Sequence, residues 1–381
     1  MKILLVGEYS RLHNSLKEGL AALGHEADIV GTGDDFKNYS IDFSIAPKFF
    51  EGFPLLKKLS NGINKLTGFD LERTEKGIRF YNLLPKLKGY DHIQLINSDA
   101  IETHPAFAKW LLKKLLKQNK TMSLLVCGDE TPVIDYCLSG QFPYSILTPY
   151  LSDKGLKKHY SYPLKYIQKN HRDLFNWVQN HAGSIVTSDL DYLIPMKAMG
   201  YNAQLIPNPV NLTKIAFTPL EITDKVVIFL GINRLSYIKK GIVFFEEALK
   251  QIQEKYPDTV EIIVSENIPY TQYIELYNRA HIVLDQVYAY DQGYNALEAM
   301  AKGKVVFTGA EAEFTAHYKL TERVAINALP NTDALVNELS FLIENPTEII
   351  ATGQRARAFI EKEHDYIKVA KKYLEIWRNK G

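Results

Sequence analysis

Short, wholly apolar runs recur along this chain, with amphipathic stretches between them. A run without polar alternation is buried on both faces, the condition of a strand in a parallel sheet covered by helices. The pattern predicts an α/β chain. In the first half the strands fall at 3–6, 27–30, 93–96, 123–127, 184–186 and 203–206. Ser10 or Asn14 caps a first helix that stops at Gly24. Pro207 and Pro209 mark a crossover. Beyond it come strands near 226–230, 260–264, 281–284, 304–307 and 324–326, then helices at 332–344, 346–362 and 364–378. A length of 381 residues predicts two domains, each able to bury its own core. We place them at 1–210 and 211–365, with 366–381 as a final helix. Residues 33–90, rich in Lys, Phe and Tyr, show few strand signals and are expected as extended loops and short helices. No G-x-G-x-x-G follows the first strand, which removes the main warrant for a dinucleotide-dependent oxidoreductase.

The stretch from Asp285 to Phe307 reads as a strand end, a loop with Gly293, a short helix over 295–301, a stop at Gly303 and a buried strand from Val305. A helix that begins at the carboxyl end of a strand offers free amides and the positive end of its dipole to a phosphate. Gly293, Tyr294 and Asn295 open that helix, and Glu298 lies one turn inside, placed to accept sugar hydroxyls. On pattern alone an ordinary βαβ unit with a surface glutamate reads as well. A second segment runs from the apolar strand 225–230 through Gly231-Ile-Asn-Arg-Leu-Ser-Tyr-Ile-Lys-Lys-Gly241 into an amphipathic helix, 242–253. Arg234 and Lys240 share that connection. Arg brings a planar fork for phosphate oxygens, and Lys a mobile point charge.

Together these segments resemble the retaining GT-B glycosyltransferases of the group-one (family 4) type, which transfer a sugar from a nucleotide diphosphate sugar. Arg234 and Lys240-Gly241 match the family's G-R…K-G loop, whose Arg and Lys hold the donor diphosphate. Glu298 in L-E-A-M-A-K-G matches the second glutamate of its E-x7-E motif, which contacts the donor ribose. Residues 273–285 resemble the helix and strand before that motif, and Ile206-Pro-Asn-Pro-Val-Asn211 the interdomain crossover. The likeness is strong over 185–365 and weak before it. It implies two Rossmann-like domains with parallel sheets facing a central cleft, and a C-terminal helix crossing back to the N-terminal domain. It also implies an acceptor-side first domain, donor binding by Gly231, Arg234, Lys240, Gly293, Tyr294, Asn295 and Glu298, and metal-independent transfer without a cofactor. Many enzymes of the family act on lipid-linked acceptors, so the partners implied are a nucleotide sugar and a lipid-linked or saccharide acceptor in cell-surface polysaccharide or glycolipid synthesis. The chain departs from the pattern in three places. Tyr290 stands where the family carries its first glutamate. The strand 122–127 leads into Gly128-Asp129-Glu130 instead of a histidine, and Gly7-Glu8-Tyr9-Ser10 lacks paired glycines. Asp291, Asp285 and Asp129 are therefore the candidates for a catalytic carboxylate. A nucleotide-sugar 2-epimerase of the same fold, or a non-catalytic nucleotide-sugar-binding subunit, are the alternatives.

Residues 1–210 hold 25 Lys and Arg against 21 Asp and Glu, and the remainder 20 against 23, too small a bias for a general nucleic-acid binder. Cys127 and Cys137 make neither a disulfide framework nor a metal spacing. The apolar run 3–6 is too short for a signal peptide, and no stretch reaches membrane-spanning length, so a cytoplasmic protein is expected. Asp189-Leu-Asp191 has the form of a metal-binding D-x-D, but Ser188 or Asp189 reads better as a helix cap, and no metal is expected. His104, after a strand end, is placed near the cleft or simply exposed. The helix 106–120 carries Leu111, Leu112, Leu115 and Leu116 on one face and Lys113, Lys114, Lys117 and Lys120 around the other. Its leucines either cover the sheet or, with Lys154, Lys157, Lys158, Lys165, Lys169 and Arg172 nearby, it forms a weak anionic-membrane surface at the inner face.

Overall fold

Seven strands of the first half pair side by side: β1 (Lys2–Val6), β2 (Glu26–Gly31), β3 (Phe43–Ser44), β4 (His92–Leu95), β5 (Thr121–Val126), β6 (Ile185–Thr187) and β7 (Ala203–Leu205). Their order is 3-2-1-4-5-6-7, and every pairing is parallel. The second half forms a five-stranded parallel sheet from β8 (Val226–Ile232), β9 (Val260–Glu266), β10 (Ile282–Leu284), β11 (Val305–Thr308) and β12 (Ile326–Asn327), ordered 12-11-10-8-9. These are the two common doubly wound orders, each with one point where the winding reverses: between β1 and β4 in the first sheet, and between β8 and β10 in the second. Ligands of such sheets bind outside the carboxyl ends of the strands at that point. The computed structural model describes residues 1–34, 39–266, 268 and 270–378.

The apolar runs are buried as their composition requires. Ile3 to Val6, Met122 to Val126 and Val305 to Thr308 are covered on both faces. The chain passes between the sheets at residues 208–211 and returns beside that strand at 364–366, where Val210 and Asp365 form a parallel bridge. The helix Tyr366–Arg378 then lies against the helix Leu12–Ala22. Gly19 permits this contact, since a Cβ there would sit 2.3 Å from the Tyr366 carbonyl oxygen. Trp377 closes the far end, donating to Gln94 at 3.1 Å and stacking on His92. Residues 379–381 of the expected final segment lie outside the described residues.

Four local expectations change. Neither Ser10 nor Asn14 caps the first helix. Ser10 and Arg11 both adopt left-handed backbone (φ 51° and 73°), and the buried Glu8 carboxylate accepts the Asn14 amide at 2.8 Å. Between 33 and 90 (residues 35–38 aside) the helices are longer than the expected short ones: Pro54–Thr67 has 14 residues and Leu71–Leu83 has 13. His104 is not in the cleft: its ring stacks on Phe69 at 4.4 Å and pairs with the Asp70 carbonyl and Thr74. The helix Pro105–Lys117 buries Leu111, Leu112 and Leu115 in the core, leaving Lys113, Lys114 and Lys117 exposed, while Lys165 is engaged by Asp99 and Arg172 by Asp135.

Candidate functional site

At the reversal between β8 and β10, the turn after β8, the end of β10 and the start of the helix Tyr294–Ala301 enclose a cavity of about 520 Å³. Lys240 enters it at the end of the short helix Tyr237–Lys240. Its ammonium lies 2.7 Å from Asp285, which is 1% exposed and also accepts from Asn295 and Thr308. Asp285 thereby ties the lysine to the opening of the Tyr294–Ala301 helix. That helix is capped by Gly293, which provides no side-chain oxygen, and Gly293, Tyr294 and Asn295 border the cavity. The first amides of a helix have no intrahelical acceptor, so this end presents donors to whatever fills the space. The Tyr294 hydroxyl itself turns away and donates to the Pro209 carbonyl at 2.8 Å. Glu298, one turn further, also lines the cavity. Across from it the first domain contributes Ser10 and Tyr39, and burial, then the nearby Glu298 charge, pushes the Tyr39 hydroxyl up to about 12. Gly231 passes so close to Tyr273 that a Cβ would come within 3.1 Å of its ring.

Arg234 is placed differently from Lys240. Its guanidinium forms a bidentate pair with Glu266 at 2.7 and 2.6 Å on the exposed rim, outside the residues lining the cavity. It reaches a ligand in the cavity only by leaving that partner.

A second, smaller pocket of about 170 Å³ adjoins the first, with Gln286 and Gly293 bordering both. Its walls carry Asp129, Asp189 and Asp191 from the first domain and Asp291 from the second. Asp191 accepts the amides of Tyr290 and Asp291 at 3.0 and 3.1 Å, and Asp291 accepts the Leu190 amide at 3.1 Å and that of Gln292 at 2.7 Å. The two aspartates thus clasp the domains reciprocally. Asp291 also supplies the acceptor for the helix Leu190–Ala198, whose own N-cap Asp189 makes no capping bond. Asp189 keeps one oxygen without a hydrogen-bond partner. Burial raises all four carboxyls: Asp291 to about 6, Asp189 and Asp191 with added repulsion from neighbouring aspartates, and Asp129 against the pull of Lys239 and Lys165. A carboxyl held neutral near pH 6 can act as a general acid, and once ionised as a base.

Tyr290 leaves no carboxylate at its position. It is 4% exposed, with its ring packed on Phe142 and Tyr144. Glu130, beside Asp129, is fully buried and committed to Ser98 and the Thr131 amide. A larger hollow of about 770 Å³ borders Ala280, His281 and Lys304, at the amino ends of β10 and β11, the wrong end of the strands for a doubly wound site. Among the described residues no group of three or more His, Cys, Asp or Glu is arranged to hold a metal ion.

Sequence reasoning missed Gln286, Asn233 and Ser236 in the first cavity, and it read Asp189 as a helix cap without placing Asp189 or Asp191 in a pocket; Asp189 does hold the N-cap position, but its side chain makes no capping bond. Two aspartates directly after β6, facing a third after β10, are the signal, and it becomes visible only once both strands are known to end at one cleft.

A family model described as glycosyl transferase-like matches residues 242–375. No curated protein sequence matches the chain at a significant level. Among solved structures, sucrose-phosphate synthase from Thermosynechococcus elongatus is similar at TM-score 0.61 and 15% identity, covering 100% of this chain and 98% of that one. The Anabaena protein HepE, solved with UDP and glucose, is similar at TM-score 0.61 and 13% identity over 100% of both chains. The UDP-GlcNAc 2-epimerase from Neisseria meningitidis, bound to UDP-GlcNAc, is similar at TM-score 0.53 and 14% identity over 100% of both. These likenesses show a GT-B fold, and the second domain carries a glycosyltransferase-like match.

Proposed function

We propose that the protein is a glycosyltransferase that moves a sugar from a nucleotide diphosphate sugar to a hydroxyl of a saccharide or lipid-linked acceptor. One observation carries this reading. The cavity holding Lys240 and the uncapped start of the Tyr294–Ala301 helix opens at Gln286 and Gly293 into a carboxyl-lined pocket. A diphosphate fits the first compartment and its sugar the second. As the bond from the sugar to the diphosphate breaks, negative charge grows on the leaving oxygen, and in this reading Lys240 and the helix amides stabilise it, with no metal called on. The acceptor oxygen forms the new bond at the same carbon, and its proton passes to a carboxylate of the pocket, with Asp129 or Asp291 as the candidates. The glycosyl transferase-like match and the UDP bound to HepE support the assignment.

A second reading has its own observation. Four carboxyls raised by burial face one sugar-sized space, which supplies the acid and base a nucleotide-sugar 2-epimerase needs. A thermal-shift panel over UDP, GDP, ADP and CMP tests what the readings share. A diphosphate at 100 times its Kd adds about 2.7 kcal/mol of stability. If none of the three diphosphates raises Tm, the assignment of the cavity is wrong.

A further inference from the structure

The helix Pro54–Thr67 exposes its apolar side. At 100° per residue, Leu55, Leu59 and Leu66 fall within about 40° of one another, and they are 79%, 55% and 87% exposed. Only Ser60 of this helix is buried, so the ridge points away from the protein. Phe49 and Phe53, just before it, are 53% and 57% exposed. The helix contains Lys57, Lys58 and Lys65 and no acidic residue. Next to it, Ile78 and Tyr81 of the helix Leu71–Leu83 are exposed, and Tyr81 packs on the exposed Trp110, over which Lys114 lies at 4.5 Å.

We propose that this face docks on an anionic membrane surface. The charge argues for lipid over a protein partner. A leucine ridge flanked only by lysines, with phenylalanine and tryptophan at its margin, is the composition of a helix lying in the plane of a lipid interface. The lysines reach the headgroups while the leucines enter the acyl boundary. No helix among the described residues is long and apolar enough to cross a membrane. The helix pair is also rooted at the crevice of the first sheet: Arg73 bonds both oxygens of Asp99 and the Thr103 carbonyl, and Lys76 pairs with Glu102, all just beyond the carboxyl end of β4. Docked this way, the crevice of the first sheet is held next to the bilayer, which suits a lipid-linked acceptor. That last step rests on the transferase reading, whereas the surface itself does not.

Flotation with vesicles of phosphatidylcholine, alone or with about one-third phosphatidylglycerol, tests it. The full chain floats with the anionic vesicles and hardly with the neutral ones, and added salt weakens but does not abolish binding. Leu59→Glu/Leu66→Glu lowers the partition at least about tenfold, because two leucines no longer leave water, and Tm is unchanged because both sites are exposed. Absent flotation at low salt, or flotation indifferent to the double substitution, overturns the proposal. So does a concentration-dependent dimer by light scattering that the substitution dissolves, since a second copy then covers the face. The UDP, GDP and ADP thermal shifts are measured on the same samples. Vesicle binding without any nucleotide shift sinks the cleft assignment and leaves the membrane face standing.

Discussion

Lys240→Met is the most telling perturbation of the cavity, because this lysine pairs with a buried aspartate and, in the proposed function, also holds the ligand. Its ammonium sits 2.7 Å from an Asp285 that is 1% exposed, while Lys240 itself is about a third exposed. Methionine keeps most of the volume and leaves Asp285 with Asn295 and Thr308 as its hydrogen-bond donors. Removing one partner of a buried polar pair costs about 1–3 kcal/mol, a fall in Tm of about 2–12 °C where the second domain, about 150 residues, melts as its own unit. A nucleoside diphosphate loses a charge-assisted bond of about 1.5–3 kcal/mol, which raises Kd about 10- to 150-fold. The two losses separate in Lys240→Met/Asp285→Asn, where no charge is left buried alone. Tm then recovers most of its loss and Kd does not. Calorimetric titration with UDP, GDP and ADP, beside thermal melts, reads both. Parental affinity in the double variant refutes the role given to Lys240, and an unchanged Tm in the single variant refutes the ion-pair argument.

With Glu298 on the donor ribose, as the proposed function has it, Glu298→Gln raises Kd for the nucleotide diphosphate sugar about tenfold and lowers turnover less, because such contacts are shared by ground and transition states; steady-state kinetics check the split. Asp291 holds its proton to about pH 6, whereas an unfolded aspartate ionises near 4. The unfolded chain therefore releases this proton first, and the stability it gives, full below about pH 4, is lost as pH rises to about 6. Asp291→Asn removes that slope, and the Tm difference between pH 4 and pH 7 shrinks in thermal melts. Gly19→Ala drives a methyl into the Tyr366 carbonyl, 2.3 Å away, and the overpacking costs about 1–3 kcal/mol, read as a lower denaturant midpoint.

Strands such as β1, β5 and β11 were legible because they are buried on both faces and carry no polar alternation, whereas the two-residue, partly exposed β3 left no such signal. The helix start at Gly293 and the end of β10 at Asp285 were equally local, each set by the residues next to it in sequence. What escaped was set by distant partners. Ser10 and Asn14 look like caps, yet the carboxylate of Glu8, bent back through two left-handed residues, takes the amide. Arg234 and Lys240 share one loop, but Glu266 at the end of β9 holds the first on the rim and Asp285 draws the second inward. Asp191 looks like part of a helix start, and its actual partners are amides a hundred residues further along. The full length of the helix Pro54–Thr67 is not legible, because Asn61, Gly62 and Asn64 interrupt its propensity and its leucines cover nothing in the core.

The proposed activity is tested most directly by following a nucleotide sugar by NMR through incubation with the protein, first alone and then with a lipid-linked or saccharide acceptor. Slow release of free nucleoside diphosphate and free sugar, accelerated when an acceptor is added and accompanied by a new glycosidic linkage, is the result the structure predicts. A sugar inverted at carbon 2 and still joined to its nucleotide contradicts it in favour of the epimerase. Tight binding with no chemistry contradicts it in favour of a non-catalytic nucleotide-sugar-binding subunit.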